Sequence, residues 1–168
     1  SKVRAWRDQR KLRLKKLHKS NMILSIDFGA SQLSAAYSLS NRTHTIPLGT
    51  SKTSMPTCIS WGDRGELLIG SRAEKRRVSH PNSTIHGTLL FRALYGPNSF
   101  DGLEAERRSG LVELHDDQIY FCVHGEFFQP VEIAAKLIRE VKERAEEHLG
   151  CRIEYAVLSI HAAAYQKD

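Results

Sequence analysis

Cysteine is scarce in this chain. Cys58, Cys122 and Cys151 are its three thiols in 168 residues, far apart and without a CxxC pair. That excludes a disulfide-stapled scaffold and a cysteine zinc framework, and it fits buried free thiols in a reducing compartment. No apolar run approaches the ~20 residues of a membrane-spanning helix, and neither internal repeats nor low-complexity tracts are present. The eight histidines never pair with a cysteine at ligand spacing, so scattered imidazoles are expected rather than a metal centre. What is left is 40% hydrophobic and 26% charged, the composition of one globular domain with a real core.

Acids are nearly missing from the first 19 positions. Ser1 to Lys19 carry nine Lys or Arg against Asp8 alone, a charge of +8, whereas the whole chain has 25 basic and 19 acidic residues, +6; the remainder is therefore −2. Val3, Trp6, Arg10, Leu14 and Leu17 fall near one helical face, so residues 1–21 read as a basic arm, helical or disordered. Three roles fit it. It could be a solvated extension, or it could dock on RNA, an anionic surface or an acidic partner through Arg4, Arg7, Arg10, Lys11, Arg13, Lys15 and Lys16. The third role is a mitochondrial targeting peptide, which the Arg/Leu-rich, acid-poor content fits and the low Ser content opposes.

The most informative stretch is Met22 to Leu39, MILSIDFGASQLSAAYSL. An apolar strand delivers Asp27 at its end, Gly29 permits a tight turn and a close approach of backbone to ligand, Ser31 adds a hydroxyl, and a second strand returns. Two readings remain open. Asp and Gly at a hairpin serve conformation alone in many proteins. Alternatively, inward N–H groups of such a turn take phosphate oxygens while the acid, which would repel phosphate directly, holds a hydrated Mg²⁺.

Downstream, Thr43 to Pro47 and Thr57 to Trp61 alternate as strands, and Leu67 to Gly70 leads into a basic helix over Arg72 to Ser79, stopped before Pro81. Gly96 to Ser99 reads as a loop and Asp101 to Gly110 as a polar connector. Leu111 to Leu114, Ile119 to Val123 and Glu126 to Phe128 form an antiparallel meander turned at Asp116-Asp117 and His124-Gly125, and the paired acids there read as a solvated turn. The clearest helix starts at Pro130 and carries Val131, Ala134, Leu137, Ile138, Val141, Ala145 and Leu149 on one face, with Gly150 beyond its end. A buried strand, Glu154 to Ile160, follows.

Several of these landmarks, in order, resemble the start of the DnaK-type (heat-shock-70) chaperones of the actin-like ATPase superfamily. Ile26-Asp27-Phe28-Gly29-Ala30-Ser31 stands for the family's Ile-Asp-Leu-Gly-Thr-Thr, Met55-Pro56-Thr57 for Thr-Pro-Ser, and Leu68-Ile69-Gly70-Ser71-Arg72-Ala73-Glu74 for Leu-Ile-Gly-Asp-x-Ala-Lys. His80-Pro81-Asn82, Leu94-Tyr95-Gly96, Val123-His124-Gly125-Glu126 and Glu154 to Ile160 continue the series. The resemblance covers Met22 to Asp168. It implies an α/β, actin-like ATPase (ribonuclease H-like) fold, first lobe only, with an outer subdomain at about residues 57–130. It also implies ATP and Mg²⁺: the β- and γ-phosphates on Gly29, Ala30, Ser31 and Gln32, and Mg²⁺ held through water by Asp27.

Departures from the pattern bear on activity. Ala30-Ser31 drops one hydroxyl of Thr-Thr, Ile160-His161-Ala162 replaces Val-Pro-Ala, and the ungapped stretch puts Glu74 at the family's lysine position, with Lys75 one residue later and about 100° round a helix. A carboxylate facing a γ-phosphate repels it. The resemblance therefore implies an ATP-binding segment of a divergent chaperone ATPase, with the isolated chain inactive. The alternative is a degenerate chaperone-like scaffold subunit that does not hydrolyse ATP, anchored to RNA or a large assembly by its arm. Expected partners are the rest of the ATPase domain, or another protein covering the open sheet. The expected location is cytoplasmic or nuclear, with mitochondria as the option the arm raises.

Overall fold

The computed structural model describes residues 22–39, 41–49, 53–95 and 102–160. The basic arm, with Arg4, Arg7, Arg10, Lys11, Arg13, Lys15 and Lys16, lies outside the described residues, as do the loop at residues 96–99 and residues 161–168. The strands are β1 (Ile23–Phe28), β2 (Gln32–Leu39), β3 (Arg42–Thr45), β4 (Ser54–Pro56), β5 (Cys58–Trp61), β6 (Leu67–Ile69), β7 (Thr84–His86), β8 (Val112–His115), β9 (Gln118–Val123), β10 (Glu126–Phe128) and β11 (Tyr155–Ile160). The helices are α1 (Ser71–Glu74), α2 (Gly87–Leu94), α3 (Glu104–Arg108) and α4 (Pro130–Leu149), with a 3₁₀ turn at Pro81–Ser83. Two compact units result: one takes the chain through Phe28, Leu33–Ser54 and from Glu140 onward, the other Gly29–Gln32 and Met55–Arg139.

In the first unit the sheet order is β11-β1-β2-β3, with β1 antiparallel to β2 and parallel to β11. β1 follows the period of two that a half-covered sheet demands: Leu24, Ile26 and Phe28 are buried, while Ile23, Ser25 and Asp27 face out. Leu33, Ala35 and Tyr37 of β2 bury the same side. Val141, Ala145 and Leu149 of α4 are buried as well. Glu146 accepts the Ile153 N–H at 2.8 Å just past the helix end, and Arg144 bonds both Glu140 and the Leu48 carbonyl.

β11 corrects the expectation of a buried strand. All six of its residues are exposed, Val157 by 58% and Ile160 by 52%: the strand stands at the end of the sheet beside β1, and nothing among the described residues buries the side chains on either of its faces. Ile26 next door is 2% exposed, so one face of β1 is covered, whereas Ile23 on its other face is 47% exposed and adjoins Tyr155 of β11.

The second unit holds two antiparallel sheets, β6-β5-β7 and β10-β9-β8. Both turns of the meander have two residues at positive φ, Asp116 and Asp117 (49° and 58°) and His124 and Gly125 (52° and 80°). That geometry matches the twist of a two-residue hairpin, and Asp, His and Gly tolerate it. Trp61 of β5 lies against Phe128 of β10, ring centroids 5.0 Å apart. At the entrance to α4 the Gln129 N–H donates to the Glu132 carboxylate at 2.7 Å while Glu132 N–H returns to the Gln129 carbonyl, a reciprocal cap. Ala134, Leu137, Val141, Ala145 and Leu149 are buried as the periodicity requires, but the stripe begins at Ile133, fully buried, in place of Val131, which is 59% exposed.

The helix expected over Arg72 to Ser79 is α-helical only to Glu74. Beyond it the bonds tighten to i→i−3, Arg76 N–H to Ala73 O and Arg77 N–H to Glu74 O, and Arg76 is pulled to Asp63 at 2.9 Å. Several elements were not foreseen: the short strand β4, α3 inside the polar connector, and β7 with α2, whose Leu89, Leu90, Phe91 and Ala93 are buried.

Candidate phosphate-binding turn

The turn Gly29–Gln32 closes the β1–β2 hairpin with Ala30 and Ser31 at its tip. The Gly29 N–H donates to the Gln32 carbonyl at 3.1 Å. None of these residues has positive φ. Glycine is required at position 29 for closeness instead, since a Cβ there would stand 2.9 Å from Gln32 O.

All four carbonyls of the turn face protein. Gly29 O accepts the Thr57 hydroxyl at 2.7 Å, and Ser31 O accepts the Thr57 N–H at 3.0 Å. Gln32 O takes the Gly29 N–H. Ala30 O lies against Gly87, where an added Cβ would be only 2.2 Å away. In a trans peptide the C=O of one residue and the N–H of the next point oppositely, and none of the described peptides is cis. The N–H groups of Ala30 and Ser31 are therefore turned away from Thr57 and Gly87. Among the described residues neither has a hydrogen-bond partner, Ser31 is exposed and Ala30 half-buried. Two adjacent amides without a partner are donors of the kind that an anion can take up.

Asp27 belongs to the first unit and precedes the turn by two positions. It faces out from β1, in register with Ser34 of β2 and Ser159 of β11, and among the described residues its carboxylate makes no hydrogen bond or ion pair. No three His, Cys, Asp or Glu side chains cluster as a metal cage among the described residues. A lone carboxylate between serines fits a hydrated Mg²⁺ held through water rather than a dehydrated ion.

Residues 23–168 match the family model described as Hsp70 protein. The chain belongs to the Hsp70 family. Its fold is accordingly that of an actin-like ATPase, and the mixed α/β sheets described above are part of the first lobe of that fold. Membership of this chaperone family carries ATP and Mg²⁺ as its general ligands and partner proteins as a general expectation. Among the described residues no helix is long and apolar enough to cross a membrane.

Glu74 has its polar contacts elsewhere than the turn of this Hsp70 member. It pairs with Arg77 at 3.6 Å and lies beside Cys58. Burial, reinforced by the Glu74 carboxylate, pushes the Cys58 thiol up to about 12. Lys75 is exposed at the end of α1. The structure brings together Gly29, Ala30, Ser31 and Gln32, as adjacency requires, and adds Thr57 and Gly87, which sequence reasoning passed over. The polar Thr57 just after Pro56 was a faint signal for one. For Gly87, a glycine opening an apolar helical run was the only trace.

Proposed function

We propose that this segment binds the phosphates of ATP on the Gly29–Gln32 turn, and that it favours binding over hydrolysis. The observation that carries the reading is the inward fixation of every turn carbonyl, which leaves the Ala30 and Ser31 N–H groups as outward donors. Asp27 would hold Mg²⁺ through water, and the bound ion would neutralise phosphate charge. Ser31 is placed to add its hydroxyl. Among the described residues no Lys or Arg side chain bonds Gly29, Ala30 or Ser31, so a cation at the transferring phosphoryl group, the main source of catalysis in such sites, is not supplied by these contacts.

Two amide donors to a charged acceptor contribute roughly 1.5–3 kcal/mol each, which corresponds to affinity on the order of millimolar for the chain alone. Titration of the ¹⁵N-labelled chain with Mg·ATP should shift the Ala30 and Ser31 amide resonances in that concentration range. Unmoved amides at saturating nucleotide would reduce the turn to a hairpin connector.

A further inference from the structure

The tip of a two-residue hairpin loop is a place where peptide planes rotate at little cost, and each rotation turns an N–H from one side to the other. An anion site made of two such N–H groups works only if the planes are held. Here one residue holds both outer planes. The Thr57 hydroxyl fixes the Gly29–Ala30 peptide through Gly29 O, and the Thr57 N–H fixes the Ser31–Gln32 peptide through Ser31 O. Gly87 seats the plane between them by letting Ala30 O approach where a side chain would stand. Thr57 itself is 2% exposed, so its hydroxyl does not reach a ligand, and both its donors are already engaged.

We infer that Thr57 is a positioning residue for phosphate binding: its hydroxyl aims the Ala30 N–H without touching the nucleotide. The inference rests on the phosphate-binding reading of the turn. It separates the two halves of the threonine side chain. The methyl packs at Gly87, where the absent Cβ would lie 2.7 Å from Thr57 Cγ2, and serves folding. The hydroxyl sets the direction of an amide. Thr57→Val keeps the shape and loses the hydroxyl, whereas Thr57→Ser keeps the hydroxyl and loses the methyl.

The test is a titration of the full chain and both variants with inorganic tripolyphosphate and with Mg·ATP, followed at the Ala30 and Ser31 amides, together with ¹⁵N relaxation dispersion of the ligand-free turn. Thr57→Val should bind about tenfold more weakly, as one misaimed donor to a charged acceptor implies, and should show exchange broadening at Ala30. Thr57→Ser should bind within about twofold of the parent. Wild-type-like affinity and a quiet turn in Thr57→Val would overturn the role of the hydroxyl, and equal losses in both variants would reduce Thr57 to a packing residue. Failure of the unsubstituted chain to bind either probe overturns the phosphate reading itself, a result distinct from the other two.

Discussion

Gly87→Ala is the sharpest test of how the turn is built. The added methyl carbon would stand 2.2 Å from Ala30 O, 2.7 Å from Thr57 Cγ2 and 2.8 Å from Thr57 Cβ. Ordinary contact begins at 3.4 Å, so the carbonyl must retreat by about 1 Å, and neither a backbone oxygen nor a buried threonine can swing aside as a flexible side chain does. The clash belongs at the upper end of the usual overpacking range, about 2–3 kcal/mol. Alanine returns part of this, because Gly87 opens a helix without positive φ and Ala is the better helix former by up to ~1 kcal/mol, less at the first position.

The net expectation is a loss of about 1–2 kcal/mol, seen as a lower urea midpoint with unchanged slope. For a chain of this size it is a fall in Tm of roughly 2–8 °C. The same displacement must tilt the Ala30–Ser31 peptide, so the Ser31 amide resonance should move even without ligand. A variant as stable as the parent, or more stable by the helix-propensity gain, with an unmoved Ser31 amide, would show that Gly87 does not abut the turn. The Ala30 carbonyl would then owe its orientation to something other than Gly87.

Asp27→Asn should weaken Mg²⁺-dependent ATP binding by roughly 1–3 kcal/mol in calorimetric titration while leaving tripolyphosphate binding without metal unchanged; equal affinity with Mg²⁺ would make Asp27 a strand residue without a ligand role. Cys58, with its thiol pushed up to about 12 by burial and by Glu74, should resist an aromatic disulfide reagent at pH 8 in the folded chain and react on unfolding. Modification at the rate of a free thiol would contradict the packing of α1 over β5. Burial, with help from Arg77, lowers the pKa of His86, so the folded state holds fewer protons than the unfolded one below the ordinary value near 6.5. Its contribution is complete above that pH and is lost as pH falls toward the depressed folded value. His86→Gln should flatten this part of the stability profile, and an unaltered profile would move the acid sensitivity elsewhere.

What was legible in the sequence is what local periodicity encodes. β1 and β2 alternate because one side of their sheet is covered, and the alternation is visible in Leu24, Ile26, Phe28, Leu33, Ala35 and Tyr37. The meander turns were readable because Asp, His and Gly are residues that accept positive φ. α2 was missed for a related reason. Ile85, Leu89, Leu90, Phe91 and Ala93 form a short apolar run that suits strand or helix, and a glycine inside it argues for neither. The exposure of β11 was beyond reach, since an apolar strand does not say whether anything covers it. Thr57 and Gly87 were hidden most deeply. Their roles come from contacts between residues far apart in the chain, such as Thr57 with Gly29 and Ser31, and no window of neighbours reports these.

Those same contacts bear on where chemistry at this turn can come from. The sequence pattern directs attention to α1, where Glu74 stands at the family's lysine position, yet Glu74 pairs with Arg77 and lies beside Cys58. The helix that abuts the turn is α2, through Gly87 and the Ala30 carbonyl. A side chain reaching a phosphate on the turn from a neighbouring helix would therefore start from the first turn of α2. That turn offers Gly87, Thr88, Leu89 and Leu90, of which both leucines are buried and none carries a positive charge. Binding is supported by the two outward amides, which need no cation to act. Fast hydrolysis needs one, and neither α1 nor the start of α2 places it there, which is why the phosphate-binding reading and the slow-hydrolysis reading stand on separate residues and can fail separately.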